Sequence, residues 1–176
     1  GIDVDSRREQ LLDILIAFRV AAAGRVAVWQ FVEHQDGGVA RERGIQIATT
    51  TQDKSGVYDG YIKVTMVSDR ERAIAGTVFS DGKPRFIQIR GINIDAEVGQ
   101  HMLYTRNKDV PGVIGALGMT LGDLGVNIAN FTLGRSAQGN DAIAILYLDE
   151  PISDAALAAL QNTGKFLQAR RLQFEV

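Results

Sequence analysis

The sequence predicts an α+β protein in which a βαββαβ unit occupies residues 98–176 and a smaller α/β unit precedes it. Two observations carry this prediction. Short β-prone segments bounded by Gly, Asn, Asp and Ser recur along the second half of the chain, as expected of strands joined by turns. Only two stretches of residues 98–176, over 111–125 and 153–160, have the length and periodicity of helices. This element order is that of the split βαβ, or ferredoxin-like, sandwich.

The first 38 residues predict a helix followed by a strand. Ser6 and Glu9 have the spacing of a capping box, and an apolar series follows them as far as Gly24. We therefore expect a helix over 6–23 and a strand over 25–32. The segment 1–38 either begins the smaller unit or lies outside it.

Residues 39–97 have a composition rich in strand formers. A short helical piece over 39–43 ends at Gly44, and the strands expected after it are 45–51, 58–67, 72–79 and 85–90. Asp81 and Gly82 predict a hairpin turn. We place the boundary between the two units at 91–99.

The βαββαβ unit follows that boundary. A strand over 100–106 leads through a loop to a helix that begins at Pro111, where the missing N–H of proline is tolerated. The helix ends at Gly125. Strands are expected over 126–135, 142–148 and 166–174, and the second helix over 153–160.

Composition excludes several classes of function. The chain of 176 residues carries a formal net charge of -2, so it lacks the basic excess of nucleic-acid or membrane-surface proteins. It has no cysteine and two histidines, His34 and His101, so neither a disulfide nor a histidine-rich metal site is expected. The longest apolar stretch, 11–24, contains Asp13 and Arg19 and is too short to span a membrane. These features predict a cytoplasmic protein with no metal, no membrane and no nucleic-acid partner.

Glycines recur at helical intervals through the helix predicted over 111–125. They are Gly112, Gly115, Gly118, Gly122 and Gly125. Each interior glycine costs a helix about 1 kcal/mol relative to alanine. The spacing is not G-x-G-x-x-G, and the glycines run along the helix instead of in its leading turn, which argues against a dinucleotide site. The sequence predicts instead that this helix closely approaches its own sheet or another helix.

The loop from Asn107 to Gly112 joins a predicted strand to the start of this helix. Free N–H groups at a helix N-terminus suit a carboxylate, and Asp109 is placed to accept a hydrogen bond from an ammonium group. The loop therefore fits the two ends of a free amino acid. The alternative is that Asp109 only caps the helix and Asn107 only shapes the turn.

Several stretches of the sequence resemble a known family. The stretch 101–135 is similar to the ACT domain of D-3-phosphoglycerate dehydrogenases, through Asp-x-Pro-Gly at 109–112 and the run G-V-N-I after the helix. Three upstream runs are similar to the intervening, or allosteric substrate-binding, domain of the long form of that enzyme. They are A-R-E-R-G-I at 40–45, G-T-V-F-S-D-G-K-P-R-F-I-Q-I at 76–89 and G-I-N-I-D-A-E at 91–97.

The resemblance implies a site and a pathway. L-serine, the end product, would contact Asn107, Asp109 and Asn127, and the parent enzyme would oxidise 3-phosphoglycerate with NAD. Lys83, Arg85 and Arg90 lie in the run similar to a domain that binds phosphate or substrate. The alternative for these three basic residues is a solvated turn and strand edge.

The family's Rossmann fingerprint and catalytic histidine have no counterpart in this sequence, so no catalytic residue and no cofactor are assigned to the chain. We expect a regulatory region that pairs through its ACT domains into a homodimer within a larger homo-oligomer. Two alternatives are a portion of an iron–sulfur serine dehydratase and a stand-alone amino-acid-binding module. A βαββαβ unit that binds RNA would need stacking aromatic residues on its third strand and a basic surface, whereas the strand at 141–148 is aliphatic with one Tyr and the chain is acidic.

Topology fixes how the effector site is assembled. In a right-handed βαβ crossover the strands 100–106 and 126–135 run parallel. Asn107 follows the first strand and Asn127 begins the second, so the two asparagines lie at opposite ends of one sheet. We expect them to meet only across a two-fold axis, with strand 126–135 at the sheet edge.

Overall fold

The computed structural model describes residues 61–67, 71–137 and 140–174. The helix predicted over 6–23, the strand over 25–32, the helical piece over 39–43 and the strand over 45–51 lie outside the described residues. These elements stay predictions.

The first described sheet is an antiparallel meander of four strands in the order β1-β2-β3-β4. The strands are β1 (Ile62–Val67), β2 (Glu71–Val78), β3 (Pro84–Ile89) and β4 (Ile92–Glu97). The turn predicted at Asp81 and Gly82 joins β2 to β3, and Gly82 adopts the left-handed φ of 79° that such a turn requires. The prediction of a boundary over 91–99 missed β4, which pairs antiparallel with β3.

The second sheet has the order β6-β7-β5-β8 and carries both described helices. Its elements, in chain order, are β5 (His101–Lys108), α1 (Val113–Asp123), β6 (Ile128–Arg135), β7 (Asp141–Leu148), α2 (Asp154–Asn162) and β8 (Phe166–Gln173). The predicted βαββαβ order and the α+β class are thereby confirmed. Because β5 and β6 each pair antiparallel with β7, they run parallel to one another, and β6 forms an edge.

One face of the second sheet is covered by the two helices. Leu117 and Leu121 of α1 and Leu160 of α2 are almost completely buried against Leu103 and Leu146. Ser153 caps α2 by accepting a hydrogen bond from the N–H of Ala156 at 3.1 Å. The apolar positions of both helices therefore face the sheet, as the 3.6-residue period predicts.

The opposite face of the second sheet is covered by the first sheet. Ile92, Ile94 and Ala96 alternate along β4 and are buried in a second core, shared with Tyr104 and Ile143 of the second sheet. A Cβ added at Gly134 of β6 would lie 2.7 Å from the backbone oxygen of Asn93. Glycine is required there because the two sheets approach each other backbone to backbone.

The glycines of α1 do not serve the role that we predicted within one chain. A Cβ added at Gly115, Gly118 or Gly122 would meet no atom of the described chain within 4 Å. These three residues are exposed, beside the exposed Ile114 and Met119, whereas the opposite side of the helix packs on the sheet. Close approach to its own sheet is therefore not what the glycine spacing reflects.

Candidate effector-binding site

The end of β5 brings Asn107 beneath the start of α1. Its side chain is only 4% exposed, and its Nδ2 donates a 2.6 Å hydrogen bond to the backbone oxygen of Lys108. Successive side chains of a strand alternate between the two faces of a sheet, so Asn107 shares the helix-covered face with Thr105 and Leu103. Asn107 therefore lies at the end of a row of buried side chains on this face of the sheet.

The N-terminus of α1 has no side-chain cap. Its N-cap is Gly112, in the left-handed region at φ 84°, and the first turn contains no acidic residue. Asp109 does not cap the helix; its backbone N–H donates to the oxygen of Asn140 at 2.7 Å, and its Oδ2 accepts from Arg135 at 3.3 Å. The first N–H groups of α1 therefore lack a side-chain acceptor, as an anion site at a helix N-terminus requires.

A small pocket lies beside these groups, between α1 and the sheet. It is lined by polar groups from β5 and its loop and by apolar side chains of α1, β6, β7 and β8: Thr105, Asn107, Asp109, Val110, Val113, Ile114, Leu117, Phe131, Leu133, Ala142, Ala144 and Phe166. Asn107 and Asp109 of the predicted site line the same pocket. Sequence reasoning missed Thr105, although its position two residues before Asn107 puts it on the same face.

Asn127 lies away from this pocket. It directly precedes β6, is exposed, and donates a hydrogen bond from Nδ2 to Oδ2 of Asp149. The register of β7 places the start of β6 beside Leu148, whereas the end of β5 lies beside Asp141. Within one chain, the structure brings Asn107 and Asp109 together and keeps Asn127 at the other end of the sheet.

A charged cluster adjoins the end of β5 on the side away from the helices. Oδ2 of Asp141 accepts hydrogen bonds from Nε and Nη2 of Arg106 at 2.9 and 2.6 Å, and Oδ1 accepts one from Lys108 at 2.7 Å. Lys108 and Arg106 hold the pKa of the Asp141 carboxyl below its ordinary value. The cluster therefore ties β5 to β7 next to the pocket.

The three basic residues of the predicted anion site do not form one cluster. Lys83 contacts Glu97 at 2.7 Å, and Arg85 contacts Asp81 at 2.9 Å and Asp95 at 3.3 Å. Arg90 lies at the opposite end of β3, in the turn to β4. An anion at Lys83 or Arg85 would have to displace the carboxylates of Glu97, Asp81 and Asp95. The anion site stays a prediction.

The described residues lack the features of three other kinds of site. No group of three or more His, Asp or Glu side chains there is arranged to hold a metal ion. Across 61–67, 71–137 and 140–174, no helix is long and apolar enough to cross a membrane. The sheet face on which an RNA-recognition domain stacks bases carries Ile143 and Ile145, which are buried under the first sheet.

Two family models match the chain in succession. Residues 36–90 match the D-3-phosphoglycerate dehydrogenase intervening domain, and residues 101–164 match the ACT domain. The second match runs from the start of β5 to just beyond α2 and so contains Asn107, Asp109 and Asn127. The gap between the matches contains β4.

Three curated relatives are similar to the chain over more than two thirds of its length. The chain is 35% identical over 135 residues to a D-3-phosphoglycerate dehydrogenase of Bacillus subtilis. The aligned region covers 76% of this chain and 26% of that protein. It is 34% identical over 127 residues to the protein of that name from Synechocystis, covering 71% of this chain and 23% of the relative. A further relative of that name, from Methanocaldococcus jannaschii, is 28% identical over 127 residues, covering 70% and 24% of the two chains.

The chain spans about a quarter of the length of these relatives. The two family matches contain the motifs at 40–45, 76–89 and 109–112. The chain therefore belongs to the D-3-phosphoglycerate dehydrogenase family, of which it represents the regulatory region formed by the intervening domain and the ACT domain.

Proposed function

We propose that this chain senses L-serine, or a closely similar amino acid, at a site completed by a second copy of the chain. The whole protein would oxidise 3-phosphoglycerate with NAD in the first step of L-serine biosynthesis. Its catalytic and NAD-binding groups would lie on domains other than those described above. The amino acid would then act as an end-product effector.

The pocket beside α1 offers partners for both ends of an amino acid. The uncapped N-terminus of α1 suits the carboxylate, since its N–H groups and the helix dipole both favour negative charge. The carboxylate of Asp109 suits the ammonium group. Its present bond from Arg135 is long, at 3.3 Å, and Arg135 is exposed, so that exchange for a ligand ammonium costs little.

The position of Asn127 carries the proposal of a shared site. Lys108 pairs with Asp141 at one end of β7, and Ile128 pairs with Leu148 at the other. Seven residue steps of about 3.3 Å separate these ends by roughly 23 Å. One small amino acid therefore does not reach Asp109 and Asn127 of the same chain.

An isologous dimer formed through β6 brings these groups together. β6 is an edge strand, so antiparallel pairing with the β6 of a second copy would set Ile128 of one chain opposite Arg135 of the other. Arg135 already contacts Asp109. Asn127 of one chain would thus lie next to the pocket of its partner, and two equivalent sites would form.

The exposed side of α1 supports the same arrangement. Ile114, Met119 and Leu124 are 56%, 70% and 48% exposed, and the space over Gly115, Gly118 and Gly122 is open. In the dimer, α1 would lie beside its twin. Small residues would let the two helices approach closely, and the apolar side chains would be covered.

Calorimetry of L-serine binding to the whole chain tests the proposal, with sedimentation velocity in parallel. Asn127→Ala and Asp109→Ala should each weaken binding by about tenfold or more, because each removes a hydrogen-bond partner of the ligand. The exposed Asn162→Ala and Glu150→Ala are matched controls that should bind as wild type. Serine should also strengthen the dimer by linkage.

A mixture of the two variants separates a shared site from a site within one chain. Each variant alone lacks a partner in every site, whereas a mixed dimer regains one intact site. Random pairing of equal amounts would restore about a quarter of the sites at wild-type affinity. Tight serine binding by a strict monomer, or a mixture with no restored sites, would show that the site is not shared.

A further inference from the structure

The hydroxyl of Thr105 is buried without a hydrogen-bond partner among the described residues. Thr105 is 0% exposed, in the middle of β5, and its Oγ1 makes no hydrogen bond with another described group. A buried hydroxyl without a partner destabilises a fold, because it loses its hydrogen bonds to water without replacing them. A valine of the same shape would avoid that cost, so the presence of threonine at this position needs an explanation.

The surroundings of Thr105 direct its side chain toward the pocket. Its cross-strand neighbours are Ala144 on β7 and Ala169 on β8, whose small side chains leave room above it. Val113 and Leu117 of α1 lie over this space, and Thr105 lines the same pocket as Asn107 and Asp109. The hydroxyl is therefore a polar group at the apolar inner end of the pocket.

We propose that Oγ1 of Thr105 hydrogen-bonds the side-chain hydroxyl of the bound amino acid and thereby selects serine over amino acids without a hydroxyl. This inference rests on the function proposed above. The uncapped helix N-terminus and Asp109 take the carboxylate and the ammonium group at the mouth of the pocket. Thr105 lies two residues deeper along β5 than Asn107, at about 6.6 Å along the strand. The ligand side chain is the part that enters this depth.

The same geometry explains why the site favours a small ligand. Val113, Leu117 and Phe166 close the pocket around Thr105, and Leu117 is 2% exposed. A ligand without a hydroxyl leaves Thr105 unpaired, and a hydroxyl ligand satisfies it. Sites that hydrogen-bond a ligand hydroxyl reject the analogue that lacks it more strongly than apolar pockets reject an extra methylene group.

The ratio of affinities for L-serine and L-alanine tests the role of Thr105 in the whole chain. Wild type should favour serine by about tenfold, and Thr105→Val should bring the ratio close to one by weakening serine binding alone. Thr105→Ser keeps the hydroxyl and should retain the preference for serine. Thermal unfolding of each variant reports on folding, and Thr105→Val should unfold no lower than wild type.

The outcomes separate the two proposals. A collapse of the ratio in Thr105→Val, with the ratio kept in Thr105→Ser, supports the inference. An unchanged ratio, or an equal loss of affinity for both amino acids, overturns the inference while leaving amino-acid sensing intact. If neither amino acid binds wild type, the proposed function and the inference are both wrong.

Discussion

Gly134→Ala is the perturbation whose effect on stability follows most directly from the geometry. The added Cβ would lie 2.7 Å from the oxygen of Asn93 and 2.9 Å from Cγ2 of Ile92. Non-bonded carbon atoms settle at 3.5 Å or more, so β4 would have to retreat by at least about 0.6 Å. Such overpacking costs about 1–3 kcal/mol, and replacing glycine in a strand returns about 0.5–1 kcal/mol. From the middle of each range, the net loss in unfolding free energy should be about 1 kcal/mol.

Urea unfolding of the whole chain measures this loss. With a slope of about 1–3 kcal/mol per molar urea, the midpoint should fall by roughly 1 M. Gly115→Ala, measured at a concentration at which the chain is monomeric, is the matched control. Its new Cβ meets no described atom within 4 Å, so it should raise the midpoint through helix propensity. Hydrogen exchange should quicken in β4 of Gly134→Ala only. A Gly134→Ala variant as stable as wild type would show that β4 and β6 are not in backbone contact.

Four further predictions follow from the same structure. Gly118→Ala should raise the unfolding free energy of the chain by up to about 1 kcal/mol yet weaken the dimer, because an added methyl group keeps paired α1 helices apart; a tighter dimer by sedimentation would contradict this. Asp141→Asn should lower stability by about 1–2 kcal/mol at neutral pH. The folded-state pKa of Asp141 lies below the ordinary value, so the stability that Asp141 contributes is present above the ordinary value and is lost as pH falls through the folded-state pKa. The unfolding curves of wild type and Asp141→Asn should therefore converge in acid. The purified chain should not oxidise 3-phosphoglycerate with NAD; turnover proportional to its concentration would refute this. Phosphate should bind near Lys83, Arg85 or Arg90, and calorimetric binding unchanged in Arg85→Gln and Arg90→Gln would locate it elsewhere.

Local periodicity predicted most described elements and still missed β4. The run I-N-I-D-A-E alternates apolar and polar residues, which is the pattern of a half-buried strand. We instead assigned 91–99 to a boundary between two units. Two side chains of β4 form ion pairs with β3 and the residue before it: Asp95 with Arg85 of β3, and Glu97 with Lys83, which directly precedes β3. These ion pairs could not be predicted from the sequence, because they depend on the register between β3 and β4.

The relative placement of the site residues was predictable, whereas the roles of the α1 glycines and of Thr105 were not. The parallel direction of the two strands of a βαβ unit placed Asn107 and Asn127 at opposite ends of the sheet, and that direction follows from element order alone. The glycine spacing along α1 indicated close packing but not with what. Thr105 gave no signal because a threonine in a strand is ordinary, and only its burial beside two alanines makes the hydroxyl distinctive.

β5 connects the pocket to the intervening domain because its two faces belong to different cores. Thr105 and Asn107 point to the helix-covered face, whereas Met102 and Tyr104 lie in the core shared with the first sheet. Burial raises the pKa of the Tyr104 phenol, so that side chain stays uncharged inside the second core. Close-packed interiors do not deform continuously, and both rows of side chains share one backbone. A displacement of β5 at the pocket would therefore have to be accommodated by the packing of the first sheet as well. A ligand bound there, as proposed above, would thus have a physical route to the intervening domain.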